Sequence, residues 1–327
     1  MPESNFIRLG IKVHLGSPSQ PTSPRETRLA EAPPADPASM HRIGLWASLV
    51  EAVTEIWQSR ELLGQLASRD IRIRYKQAVM GFGWAILMPI LIVGAGLVVR
   101  MVLSQSAGVA SDAVSLGAMA AKGVGWAFFA GALGFATASL TSNMALVSKI
   151  YFPREVLPLS AVAAQGFDTL IGSAALAIVL PFLGVRATPA LLWIPVLALT
   201  LLVLTAASAL FLSCANLFYR DVKYIVQLLL TFGIFFTPVL IDPVMLGEQG
   251  AKLIMLNPVA PILEGLRIVL QEGQGLLQPL VETTRSGVEV VVWQPWYLLY
   301  SMVWAFGGLL GSILLFHRLE FVFAEYL

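Results

Sequence analysis

The amino-acid sequence predicts an all-α, polytopic membrane protein: six transmembrane helices, an amphipathic interface helix before the first, and a short re-entrant hairpin between the fifth and sixth. Three observations carry that prediction. Of 327 residues 57% are hydrophobic and 13% charged, whereas soluble domains carry roughly 45–50% apolar and ~25% charged residues. Apolar runs of about 20 residues, enough to cross ~30 Å of hydrocarbon as helix, recur along the chain. Lys and Arg collect in the short loops that would share one side of the membrane.

The same composition excludes several classes. A net charge of +1 leaves no global basic field to hold nucleic acid. One cysteine, Cys214, allows neither an intramolecular disulfide nor a multi-cysteine metal site. His14, His41 and His317 read as tail residues without metal-binding spacing. No Gly-rich loop ending in Gly-Lys-Ser/Thr is present, so ATP hydrolysis and its Mg would belong to another chain, with no cofactor in this one.

Residues 1–44 are polar and proline-broken and read as a flexible tail, with translation from Met40 as an open alternative. Residues 45–80 form the interface segment. At ~100° per residue, Leu62, Leu66 and Ile73 share one helical face, and Arg69, Arg72 and Lys76 the adjoining one. "IRIRYK" alone would also suit a strand, but an unpaired strand beside a bilayer leaves backbone groups unsatisfied. The basic side is expected to meet lipid phosphates.

Residues 81–327 form the membrane domain, with spans expected at Gly81–Leu103, Val124–Val147, Val156–Leu183, Leu191–Leu217, Tyr224–Ile241 and Trp293–Phe316. "LNPVAPILEGLRIVLQEG" is about half a membrane thickness as helix and reads as a re-entrant hairpin or as a helix lying on the outer leaflet. Placing the start of span one inside puts Arg69, Arg72, Arg74, Lys76, Lys149, Arg154, Arg220, Lys223 and Arg318 in the cytoplasm, with both termini. Lys122, Arg186, Lys252, Arg267 and Arg285 fall on the other side.

In "SKIYFPREVLPLSAV", Pro153 and Pro158 enclose a charged turn that would support a short helix exposed to the cytoplasm, suited to docking a partner. The alternative is a plain topological anchor.

"RDIRIRYKQAVMGFGWAILMPI", "SKIYFPREVLPLSAV", "NLFYRDVKYIVQLLL", "TPVL", "LNPVAPILEGLR" and "HRLEFVFAEYL" resemble, in order and spacing, the permease subunits of bacterial type-2 ABC exporters of polysaccharide or polyol phosphate, nearest to O-antigen and teichoic-acid exporters. The resemblance covers about residues 50–327 and implies a homodimer in the bacterial cytoplasmic membrane. It further implies two cytoplasmic ABC ATPases, membrane lipids and an undecaprenyl-pyrophosphate-linked glycan as partners. In that picture the segment 45–76 is a gate helix, and Pro153, Arg154, Glu155, Val156 and Leu157 couple to the ATPase. Arg69, Arg72, Arg74 and Lys76 would meet the lipid pyrophosphate, Arg as a fork and Lys as a point charge. Topological anchoring accounts for the same charges.

Aromatic faces pack against pyranose C–H surfaces, which makes Trp84, Trp126, Phe128, Phe129, Phe135, Phe232, Phe235 and Phe236 candidates to line a glycan conduit; lipid-facing and core positions are the alternatives. Asp168, inside span three, should face the bundle or a wet cavity, as a functional or a hydrogen-bonded structural carboxylate. Glu264 and Arg267 can pair across one turn and hold the outer hairpin. Gly131, Gly134, Gly307 and Gly311 suit close helix packing. Two other functions remain open: a membrane glycosyltransferase or phosphotransferase on polyprenyl phosphates, which would need paired carboxylates or a metal-binding acidic cluster where the cytoplasmic loops offer only Glu155 and Asp221, on different loops, and an exporter of small molecules.

Overall fold

The structure is a computed structural model that describes residues 45–76, 113–147, 152–283 and 289–326, with isolated positions between 83 and 98. Span one, Trp84, Lys149 and the N-terminal tail lie outside the described residues. The interface segment forms two helices, α1 (Leu45–Gln58) and α2 (Arg60–Tyr75). Among the described residues, four helical stretches are long and apolar enough to cross a membrane: Ala113–Thr137, Val156–Leu183, Pro189–Phe218 and Pro295–Leu319. The chain is thus a multi-pass membrane protein.

The second span differs from expectation. Its helix, α3 (Ala113–Thr137), begins 11 residues before the expected Val124, because Lys122 depresses the local hydropathy but is neutralised in the fold. It stops where hydroxyl and amide side chains compete for backbone carbonyls. Thr137 Oγ1 bonds Leu133 O at 2.7 Å and Asn143 Nδ2 bonds Ser139 O at 2.9 Å, so only the one-turn helices Ser139–Ser142 and Met144–Val147 follow.

The third and fourth spans match the hydropathy reading. Helix α4 (Val156–Val179) runs into a 3₁₀ turn, Leu180–Leu183, and is ended by Gly184 at φ 87°. Helix α5 (Trp193–Phe218) follows the turn Pro189–Leu192. The fifth stretch, α6 (Val222–Gly233) with its 3₁₀ extension Ile234–Phe236, is shorter than expected, about 22 Å at 1.5 Å per residue. Pro238 explains the stop: it holds Thr237 extended (φ −129°, ψ 154°).

After α6 come α7 (Gly247–Ile254), α8 (Ala260–Arg267) and a π turn, Ile268–Glu272. Helix α8 does not lie on the surface: Ala260, Ile262, Leu263 and Glu264 are fully buried. Gly125 permits this, since a Cβ there would lie 2.7 Å from Leu263 Cδ2. The all-helical expectation is amended by an antiparallel hairpin, β1 (Leu280–Thr283) and β2 (Glu289–Trp293), pairing Val281 with Val291 and Thr283 with Glu289. Its β-branched alternation buries Val290 and Val292 against Ala251 and Val244. Helix α9 (Pro295–Tyr326) therefore starts after Trp293, and His317 sits in its later turns rather than in a tail.

Among the described residues, the two largest apolar clusters hold the bundle. One packs Trp126, Phe128, Leu197, Leu201, Ile262 and Trp293 from α3, α5, α8 and β2. The other gathers Ala52, Leu66, Leu140, Val156, Leu210 and Phe316 around the start of α4. The glycine expectation needs revision at Gly134, Gly307 and Gly311, where a Cβ meets none of the described residues within 4 Å; on α9 the close approach to α5 is made at Gly308, 3.6 Å from Ala207 Cβ.

Candidate functional site

Helix α2 sorts the cation cluster into two sets. Arg69, Arg72 and Lys76 lie on the open side and, with Glu61, Gln65 and Ser68, line a groove of about 1240 Å³. Arg72 and Lys76 are exposed and make no ion pair among the described residues. Arg69 is partly engaged: its Nη2 lies 3.0 Å from Asp70 Oδ1 and 3.1 Å from Asn143 Oδ1. Ile73, expected on the packed face with Leu66, is 67% exposed. Helix α2 buries Leu66 and Ala67, while Ile71, Arg74 and Tyr75 in the turns beyond them are half-buried.

Arg74 points the other way, into the bundle. Its Nη1 donates to Asp168 Oδ2 at 2.7 Å and to Gln165 Oε1 at 2.9 Å, and its guanidinium stacks 3.9 Å from the Phe135 ring centroid. The Tyr75 hydroxyl donates to the other Asp168 oxygen at 2.7 Å. Both Asp168 oxygens are thus hydrogen-bonded and its charge is balanced by Arg74, as an intramembrane carboxylate requires. Gly131 of α3 makes room for this group: a Cβ there would lie 2.8 Å from Gln165 Cδ. Arg74 belongs with Asp168, apart from the three cations of the open face.

The loop ahead of α4 corrects a second expectation. No separate exposed helix follows Pro153; α4 itself begins at Val156. Glu155, Val156 and Leu157 are 2%, 0% and 1% exposed, because Val156 and Leu157 are apolar and pack against Leu140 and Leu210. Pro153 and Arg154 are half-buried and remain partly at the surface.

The aromatic candidates also divide. Trp126 and Phe128 are core residues enclosed by their own chain, Trp126 lying where a Cβ on Gly233 would fall 2.8 Å from its ring, so neither lines an opening within this chain. Phe129 packs on that core, 5.8 Å from Trp126 between ring centroids. Phe135, Phe232, Phe235 and Phe236 are exposed, the last three on the same face of α6 and its extension as Tyr224, Ile225, Leu228 and Leu229. Trp296, Tyr300 and Trp304, not singled out in the sequence, stack along α9 with centroids 6.2 and 6.4 Å apart; their spacing of four residues was the available signal.

On the other flank of the bundle Arg267 ties three carboxylates: Glu264 at 2.5 Å, Glu282 at 2.5 Å and Glu272 at 3.6 Å. The Glu264–Arg267 pair expected from their spacing is present, and Glu282 of β1 joins it. Lys122 of α3, taken from the sequence for a loop charge, is buried and bonds Asp242 Oδ1 at 2.7 Å. Among the described residues no group of three or more His, Cys, Asp or Glu could hold a metal ion.

The sequence profile of the ABC-2 type transporters matches residues 61–270, from the first turn of α2 to the π turn after α8. The chain belongs to this family. Its ABC-2 region contains both cation sets of α2, Asp168 and the start of α4. The O-antigen export system permease protein RfbA of Klebsiella pneumoniae is 27% identical to this ABC-2 transporter chain over 214 residues, covering 65% of the chain and 81% of that protein. A protein of the same description from Myxococcus xanthus is 26% identical over 227 residues, covering 68% and 85%.

Proposed function

We propose that this ABC-2 transporter chain is the membrane subunit of an exporter that carries a lipid-linked cell-surface polysaccharide, of the O-antigen type, from the cytoplasmic to the outer side of the bacterial inner membrane. Membership of the family, with relatives named as O-antigen export permeases aligned over most of their length, is the observation that carries this reading. The chain performs no covalent chemistry of its own; a separate ATPase supplies the energy. The distribution of Lys and Arg supports cytoplasmic termini, and the apolar run at residues 81–103 supports a first span that brings the total to six.

The parts take roles by their chemistry. Arg69, Arg72 and Lys76 form an accessible cationic face suited to the pyrophosphate of an undecaprenyl-linked glycan. Pro153 and Arg154, the partly accessible portion of the turn before α4, are the ATPase-facing contact, with Glu155, Val156 and Leu157 as its buried root. Helix α6 with its extension, the fifth span of this reading, presents Ile225, Leu228, Leu229, Phe232, Phe235 and Phe236; a second copy covering this face makes the homodimer and its aromatic conduit. The stretch Leu256–Gly273, with the buried helix α8 and the π turn after it, acts as the re-entrant hairpin.

The test is affinity purification of the tagged chain from native membranes in mild detergent, with mass spectrometry of what accompanies it. A stoichiometric ATPase bearing phosphate-loop motifs, together with lipid-linked sugar, is the expected result. The chain alone, with metal-dependent sugar transfer, would overturn the reading.

A further inference from the structure

One helix carries two of these features. Helix α4 opens directly behind Pro153 and Arg154, and Asp168 lies twelve residues after Val156, about 18 Å along the helix. There both carboxylate oxygens are taken by consecutive residues of α2, Arg74 and Tyr75. The fully buried apolar residues of α2 are Leu66 and Ala67. Beyond them its described tethers are polar: Arg69 to Asn143, and Arg74 with Tyr75 to Asp168 and Gln165. Apolar contacts are non-directional and allow a helix to slide or roll. A half-buried ion pair with bonds on both oxygens sets depth and rotation, because separating it leaves charge in low dielectric.

We infer that Asp168 is a positioning residue that fastens the cationic helix to α4, so that displacement at the Pro153–Arg154 turn is passed through α4 to the face bearing Arg69, Arg72 and Lys76. Phe135 and Gln165 keep Arg74 on Asp168, and Gly131 gives Gln165 its place. The cationic face and the ATPase-facing turn then move as one body, although the groove itself is open to the side. This inference rests on the exporter reading, which supplies the ATPase and the role of the cationic face.

The experiment uses the complex with its ATPase in nanodiscs, a Cys214→Ala background and a reporter thiol introduced by Ser68→Cys on the open face of α2. Maleimide labelling is timed with and without a non-hydrolysable ATP analogue. In the parent the nucleotide should change the labelling rate by about threefold or more, as a two-state displacement of the helix would. Asp168→Asn should retain ATPase co-purification and basal hydrolysis but abolish that change. The charge swap Arg74→Asp with Asp168→Arg should restore it, which a general loss of packing would not allow. Tyr75→Phe, which removes one bond and keeps the ring, should reduce the change by about half, and serves if Asp168→Asn does not fold. A nucleotide response that survives Asp168→Asn or Tyr75→Phe at full size overturns this inference alone. A parent that co-purifies without any ATPase overturns the exporter reading and this inference with it.

Discussion

Lys122 Nζ lies 2.7 Å from Asp242 Oδ1, across 120 positions of sequence, with the lysine side chain 2% exposed. The pair joins the middle of α3 to the turn after α6. Removing one member of a buried pair costs about 3–5 kcal/mol, whereas replacing both is far milder. Lys122→Met should therefore lower the Tm of the detergent-solubilised protein, and Lys122→Met with Asp242→Asn should recover most of the loss. A double variant no more stable than the single would show that the two do not act together.

Arg267 uses different nitrogens for Glu264 and Glu282, so its fork joins α8 to β1. Lysine keeps the charge and loses the planar fork. Arg267→Lys should destabilise by about 1–3 kcal/mol, the cost of leaving a buried partner short of a bond, and Arg267→Ala by more. Thermal unfolding monitored by circular dichroism ranks the variants; equal Tm values for Arg267→Lys and the parent would remove the fork from the account.

Two glycines should behave oppositely. A Cβ at position 131 would lie 2.8 Å from Gln165, while at position 307 it would meet none of the described residues within 4 Å. Gly131→Val should destabilise the protein and weaken the Asp168 group. Gly307→Ala should be neutral or stabilising by up to about 1 kcal/mol through helix propensity. Paired Tm measurements decide, and a destabilising Gly307→Ala would point to a second chain packed on α9.

The split of the basic cluster predicts separable phenotypes. Each cation near an anionic surface contributes about 1 kcal/mol, so Arg72→Gln with Lys76→Gln should weaken retention of a diphosphate-linked lipid by about thirtyfold while Tm stays unchanged. Arg74→Gln should lower Tm instead, since its guanidinium is already committed to Asp168. Titration of the lipid into nanodiscs, alongside thermal unfolding, distinguishes them; the same binding loss in both variants would merge the two sets again.

The sequence alone determined what short-range physics controls. Spans three and four match their helices because hydropathy accumulates along contiguous residues and Gly184 marks one end. The grouping of Arg69, Arg72 and Lys76 apart from Leu66 follows from helical rotation and is seen on α2. The Glu264–Arg267 pair was legible because its members sit one turn apart. Other features were beyond such reasoning. Where α3 breaks depends on hydroxyls competing for carbonyls, which composition does not rank against helix formation. The burial of Val156, Leu157, Trp126 and Phe128 depends on which helices lie beside them. Asp168 could be recognised as an intramembrane carboxylate, but its partner Arg74 is 94 positions away, and Lys122 finds Asp242 at 120. A charge contributes to hydropathy by its type alone; which opposite charge neutralises it is decided by the packing of helices distant in sequence, and that packing exists only in the tertiary structure.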